Sequence, residues 1–283
     1  MIAVTGATGT IGGELVRLLA ARGGPVRALS RDPHRGEVLD GVEWVTADLG
    51  ERDRLAAVLD GADRLFLLTG NAADMVGLQK NAIAAAKRAG IGRVVKLSAL
   101  GASEHSKSVI GLWHRNVERA LEESGLAWTV LRPHVFMQNL LDQREAIRAE
   151  GRIYSAAADG RVPFVDTRDV AAAAAATLTE PGHEGQRHVL TGPEALSYDE
   201  VAEILSEVLG RPVEHARETD DEAWARLRRG GLPPWLAAGQ IALYGYQRAG
   251  GPTAEVSDAV ERLTGRPARG VEEFAREHAQ RLG

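Results

Sequence analysis

The chain has 283 residues, 44% hydrophobic and 26% charged, enough to bury about three quarters of its unfolded surface without a metal or disulfide; disorder and fibrous repeats are disfavoured. There are 34 Lys and Arg against 39 Asp and Glu, a net charge of -5, and no basic run interleaved with aromatics, so direct nucleic-acid binding is disfavoured too. Cysteine is absent and no stretch approaches the roughly 20 apolar residues that span a bilayer. This removes disulfides, Cys-zinc sites and thiol nucleophiles and leaves a cytoplasmic protein without a membrane span as the expectation. With the first strand predicted to begin at Ile2, no signal peptide is expected.

In chain order, short aliphatic runs alternate with longer helical periodicities, the pattern of a parallel sheet covered by helices. Strands are predicted over residues 2–5, 25–29, 42–45, 64–68, 93–97 and 127–131. Helices are predicted over 10–21, with Ile11, Leu15, Leu18 and Leu19 on one face, and over 55–59, 75–89 and 110–123. The six strands suit an α/β, Rossmann-type doubly wound sheet. Past about residue 150 the rhythm loosens. A short strand is expected at 161–165, a helix at 167–178 with the close-packing run Ala171 to Ala176, and a strand at 187–190. A helix over 198–209 capped by Ser197 follows, then a helical segment from Pro233-Pro234 to Arg248, a break at Gly250-Gly251-Pro252 and two short helices. The expected division is a sheet domain over 1–150 and a smaller, mainly helical lobe over 151–283, packed on the sheet with some segments returning to it.

Thr5-Gly6-Ala7-Thr8-Gly9-Thr10-Ile11-Gly12 lies between the first strand and the first helix. Gly6 permits the tight turn, Gly9 lets the backbone approach a pyrophosphate, and Gly12 lets helix and strand pack closely, while the helix N-terminus offers unpaired N–H groups to the anion. The turn therefore points to a dinucleotide. An acidic residue at the end of the second strand would select NAD(H) and an Arg a 2′-phosphate. Here Ser30 stands where the acid would be and Arg31 follows, so NADP(H) is preferred and NAD(H) is the lesser choice. Two neighbours complicate this: Asp32 either neutralises Arg31 or does not, and Arg35 is a second phosphate ligand or a surface charge.

The chain resembles the NmrA-like group of atypical short-chain dehydrogenases/reductases, close to the NAD(P)H:quinone oxidoreductase and triphenylmethane reductase branch. The residues carrying the resemblance are the glycine spacing, Ala47-Asp48-Leu49, Lys96-Leu97-Ser98-Ala99, Ser124-Gly125-Leu126 before Thr129-Val130-Leu131-Arg132-Pro133, Phe164-Val165-Asp166-Thr167-Arg168-Asp169-Val170, and Leu190-Thr191-Gly192-Pro193-Glu194. It implies that Asp48 and Leu49 border the adenine, that Leu68, Thr69 and Gly70 run beside the ribose and pyrophosphate, and that Ser98 and Pro133 lie near the nicotinamide. Asp48 has an alternative as a turn or cap residue, and Asp166 and Asp169 read more simply as caps of the following helix.

One departure from the wider superfamily matters. Its carbonyl reductases use a Tyr and a Lys four residues later; aligned on Glu118, this chain has Ile110 and His114 there. Losing the phenol argues against ordinary alcohol dehydrogenation and matches hydride transfer to a quinone or similar conjugated acceptor, whose product a weak acid or water can protonate. His114 would then hydrogen-bond the nicotinamide ribose or donate the proton, or else be a helix histidine satisfied locally. Ser98 would orient a substrate oxygen or serve a turn. His134, Phe136 and Asn139 are candidates for the acceptor pocket; Met137, Leu140, Trp235 and Tyr244 line it or form core, and Trp113 reads as core. The leading expectation is an NADPH-dependent reductase of a small conjugated acceptor, with no metal. The alternatives are a non-catalytic NAD(P)-binding redox sensor acting through a protein partner, and a pathway reductase for an aromatic polyketide or enone.

Overall fold

The computed structural model describes residues 1–283. Its elements are β1 (Ile2–Val4), α1 (Thr10–Ala21), β2 (Val26–Ser30), β3 (Val42–Thr46), α2 (Arg52–Val58), β4 (Arg64–Leu67), α3 (Met75–Arg88), β5 (Arg93–Leu97), α4 (Val109–Glu122) and β6 (Ala127–Pro133). There follow α5 (Asn139–Asp142), α6 (Arg144–Glu150), β7 (Arg152–Ser155), α7 (Thr167–Thr179), β8 (Gln186–Leu190), α8 (Tyr198–Leu209), β9 (Glu214–Arg217), α9 (Asp220–Arg229), α10 (Pro234–Ala249), α11 (Ala259–Thr264), α12 (Val271–Glu277) and α13 (Ala279–Leu282).

Seven strands form one sheet in the order β3-β2-β1-β4-β5-β6-β8. The pairs from β3 through β6 are parallel, with Ile2 opposite both Val26 and Arg64 and with Arg93 opposite Ala127. The order reverses between β1 and β4, the switch point outside whose carboxyl ends an open α/β sheet binds ligands. The six strands predicted for the sheet are all present, and the strand predicted at 187–190 forms as β8 and joins the same sheet as its seventh, beside β6.

The chain divides into two compact units. The first comprises Met1–Glu104, Gly111–Arg132 and Arg168–His188; the second comprises His105–Ile110, Pro133–Thr167 and Val189–Gly283. In the first unit Leu55, Leu59, Leu65, Leu67, Ile83, Val94, Val117 and Leu121 form one apolar cluster. The alanine run of α7 is buried throughout, and Arg93 at the start of β5 donates to the carbonyls of Thr177 (3.1 Å) and Glu180 (2.6 Å). A cation thus satisfies the C-terminal carbonyls of α7, where it also complements the helix dipole.

The second unit has its own core around Met137, Ile147, Ile153, Phe164, Val201, Leu205 and Phe274. Ser197 caps α8 with a full capping box: its hydroxyl accepts from Glu200 N and the Glu200 carboxylate accepts from Ser197 N. The strand expected at 161–165 does not form. Only single bridges occur there, Val162 with Leu196 and Phe136 with Val165, because Pro163 offers no N–H and a ladder cannot run through it. A pair with no apolar alternation takes its place, β7 beside β9 in parallel. It is braced by a hydrogen-bonded chain: Ser155 Oγ lies 2.8 Å from His215 Nε2, and His215 Nδ1 lies 3.1 Å from Asp199 Oδ1. The order is that of a hydrolytic triad, but Ser155 is wholly buried and offers no surface for a substrate to reach. The chain ties β7, β9 and α8 together.

Candidate functional site

In the first unit the glycine turn joins the ends of β1 and β4. The Thr5 hydroxyl lies 2.8 Å from both Leu68 O, to which it donates, and Leu68 N, from which it accepts. Gly6 has φ +64°, and a Cβ there would stand 3.0 Å from Leu68 Cγ. A Cβ on Gly12 would meet Gly6 O at 2.2 Å, so no other residue lets α1 start so close under the turn. Gly9 is exposed and caps α1 in extended conformation, with no side-chain cap and no acid in the first turn. Thr8 is half-buried, Thr10 exposed and Ile11 buried. The first N–H groups of α1 are therefore left for an external anion.

Around this turn lie most of the other expected cofactor contacts. Ser30 is held locally, its Oγ accepting from Asp32 N at 3.1 Å and lying 2.9 Å from Asp32 O. Asp32 accepts from His34 N and caps the turn Pro33–Arg35, and no ion pair joins it to Arg31. The exposed Arg31 guanidinium is thus free for a 2′-phosphate, and the donor set fits NADPH. Asp48 accepts from Gly50 N at 2.7 Å, a turn role that leaves its other oxygen free, with Leu49 half-buried beside it. Leu68 and Thr69 are half-buried and Gly70 is exposed.

Deeper, the C-terminal end of β5, the helix α4 and β6 bring a polar cluster together. Glu118, wholly buried, receives Ser98 Oγ at 2.5 Å and the Arg132 fork at 3.0 and 2.5 Å, with Arg115 at 3.7 Å and Arg187 at 3.9 Å. The Ser98 proton is therefore directed at Glu118. His114 sits one turn earlier on α4, and its Nδ1 lies 3.0 Å from Lys96 Nζ. Burial first, then the charges of Lys96 and Arg132, hold His114 well below the ordinary histidine value, so it is neutral at pH 7.

Pro133 ends β6 and is buried. In the second unit His134 N donates to Leu190 O at 2.9 Å, and its Nδ1 accepts from Val135 N at 2.7 Å; burial pushes its pKa down to about 4. Phe136 is half-buried and Asn139 exposed at the start of α5. Met137, Leu140 and Tyr244 are buried core, whereas Trp113 is only half-buried.

The sequence reading missed four polar side chains. Lys96 and Arg132 stood inside quoted motifs, but nothing in a strand pattern says that a Lys points inward. Gln79 of α3, fully buried, donates to Thr69 Oγ1 at 2.8 Å. Gln138 donates to Asp166 Oδ1 at 3.0 Å and accepts from Thr167 N at 3.1 Å, joining the loops after β6 and before α7.

The chain is similar along its whole length to characterised reductases. It is 42% identical to the NAD(P)H azoreductase of Xenophilus azovorans, over 100% of this chain and 99% of that one. It is 40% identical to the (4-alkanoyl-5-oxo-2,5-dihydrofuran-3-yl)methyl phosphate reductase of Streptomyces griseus, over 99% and 98%. The NADPH-dependent quinone oxidoreductase of Escherichia coli, solved with NADPH, superposes with a TM-score of 0.90 at 29% identity, covering 98% of this chain and 99% of that one. The model of the NmrA-like family matches residues 1–237, and with the switch-point turn and the full-length relatives it places the chain: it belongs to the NmrA-like family.

Proposed function

We infer that this NAD(P)H-dependent oxidoreductase uses NADPH to reduce a small conjugated acceptor, a quinone first among them. The observation that carries the acceptor class is the makeup of α4: it presents a buried neutral His114 and no phenol. Helix α4 thus offers no phenol to drive an isolated carbonyl, whereas an acceptor that spreads the incoming charge can take the hydride first and its proton afterwards from a weaker acid. The azo, unsaturated furanone and quinone acceptors named for the relatives are all conjugated, which supports the reading.

NADPH, when bound, supplies the hydride. The chain's part is to hold and orient. Gly6, Gly9 and Gly12 open the turn to the pyrophosphate, with Thr8, Thr10 and Ile11 presenting the first turn of α1. Arg31 takes the 2′-phosphate, beside the turn that Ser30 holds. Asp48 and Leu49 border the adenine, and Leu68, Thr69 and Gly70 flank the ribose and pyrophosphate. Ser98, His114 and Pro133 serve the nicotinamide end, and His134, Phe136 and Asn139 the acceptor.

The test is NADPH oxidation by the purified protein with menadione, alongside NADPH binding followed by nucleotide fluorescence. Acceptor-dependent oxidation beyond the rate with dissolved oxygen alone is the expected result. Tight NADPH binding without turnover on menadione, other quinones or azo compounds would overturn it in favour of a redox sensor.

A further inference from the structure

Lys96 lies in a central strand with its side chain fully out of solvent, a rare place for an ammonium. None of the roles above uses it. Its Nζ donates to Leu97 O at 2.9 Å and lies 3.0 Å from His114 Nδ1. An ammonium only donates, so Nδ1 is the acceptor and the neutral imidazole carries its proton on Nε2. No protein group partners Nε2, and His114 keeps 8% of its surface exposed.

The charges around the pair come from three strands and one helix: Lys96 on β5, Arg132 on β6, Arg187 on β8, and Glu118 with Arg115 on α4. The one buried carboxylate is already engaged by Ser98 and by both arms of Arg132. Lys96 makes no ion pair of its own, and burial pushes its pKa down to about 7, against the pull of Glu118 and with the push of Arg132. It gives up a proton readily at neutral pH. His114 does not: its imidazolium is not populated, and a neutral imidazole acting alone is too weak an acid.

We propose that Lys96 supplies the proton that His114 delivers, the two forming a relay that begins at a buried ammonium and ends at Nε2. It rests on the reductase reading for its acceptor. Hydride transfer gives a quinone two electrons and one hydrogen, leaving an anionic oxygen. That oxygen takes the proton from Nε2, Nδ1 takes one from Nζ, and Lys96 is left as a neutral amine. Water then protonates the bare Nε2, and the proton on Nδ1 returns to the amine. The net cost is one solvent proton, and no separate water path to the lysine is needed. Lys96 acts through His114 and is a positioning residue; without it Nδ1 has neither its donor nor its proton supply.

The first readout needs no cofactor. Long-range proton–nitrogen NMR of the free protein should show His114 as the Nε2–H tautomer, unprotonated down to the acid limit of the fold. In Lys96→Met, losing the donor and the positive charge should raise the His114 pKa toward its ordinary value. An Nδ1–H tautomer in wild type, or an unmoved titration in the variant, would overturn the proposal. The second readout compares acceptors. Menadione needs a proton after hydride transfer; crystal violet, a cation, becomes neutral without one. Lys96→Met should slow menadione turnover about 100-fold, within the range of general acid catalysis, with KM for NADPH little changed and the fall in wild-type rate above about pH 7 abolished. Crystal violet reduction should fall far less. Equal losses on both acceptors would mean a merely structural lysine. Lys96→Arg keeps a donor that does not release its proton and should match Lys96→Met on menadione; wild-type turnover there would overturn the proton supply. Failure of the reductase reading looks different: wild type would turn over neither acceptor, ending the relay's role while the stated tautomer remained.

Discussion

Two arginines in the first unit hold opposite situations, and each makes a prediction. Arg31 is exposed and unpaired, since Asp32 is turned to His34 N. A guanidinium fork on a phosphate is a charge-assisted contact of about 1.5–3 kcal/mol. Arg31→Ala should therefore weaken NADPH about 10- to 100-fold in a fluorescence titration and leave NADH nearly unchanged; equal losses would remove Arg31 from the 2′-phosphate. Arg132 is fixed from the other side: its fork closes on a Glu118 carboxylate with no exposure at all. Glu118→Gln would leave Arg132, Arg115 and Arg187 converging on a neutral amide. Breaking a buried pair from one side costs about 3–5 kcal/mol, and chemical denaturation should register most of it.

At the scale of the element, the turn between β1 and α1 separates a glycine needed for the fold from one needed for the ligand. A Cβ on Gly12 would sit 2.2 Å from a backbone oxygen that has nowhere to go, so Gly12→Ala should displace α1 and lower the melting temperature together with NADPH affinity. On Gly9 the closest atom would be 3.3 Å away, which small adjustments absorb. Gly9→Ala should keep the wild-type melting temperature and circular dichroism yet lose NADPH, because the methyl occupies the space of the pyrophosphate. A Gly9 variant that melted early would place the glycine in the fold instead.

That turn was legible in the sequence because its signal is local: glycines at fixed spacing between a β-branched run and an amphipathic helix. Ser197 with Glu200 was legible for the same reason. The short pair β7 and β9 was not, since Glu214-His215-Ala216-Arg217 shows no apolar alternation and owes its place to a parallel neighbour about sixty residues away. The segment at 161–165 erred the other way: its apolar residues are buried, but Pro163 denies it a ladder. Ser98 and His114 are candidates that motif and helix phase can nominate, whereas the partners the structure gives them, Glu118, Arg132 and Lys96, are set by side-chain direction across three elements, which spacing along one chain does not encode.

For the molecule as a whole, the buried neutral groups set how stability follows pH. His114 in the first unit and His134 in the second are held below the ordinary value of 6.5, His134 at about 4. Their unfolded forms take up protons first as pH falls, so their contribution is full above 6.5 and declines beneath it. Each histidine contributes up to about 1.4 kcal/mol per pH unit. The ion-paired and capping carboxylates Asp199, Glu200 and Glu222 also have lowered values, but their share is lost only once the unfolded carboxylates protonate near 4, so the decline from 6.5 to about 5 belongs to the histidines. Lys96 has its window on the other side. Its folded value of about 7 lies below the ordinary 10.5, the unfolded chain holds more protons between the two, and its penalty is relieved as pH rises through that range. Urea denaturation across pH should thus show stability falling below 6.5 and a gain above 7. His134→Asn, whose amide oxygen can still accept from Val135 N, should remove about half of the acid slope and leave the alkaline gain intact. Lys96→Met should abolish the gain above 7 and, by letting the His114 value rise, lessen the acid slope as well. A His134→Asn protein with an unchanged acid slope would mean that His134 is protonated in the fold, and the unpaired cation would have to find a partner at that site.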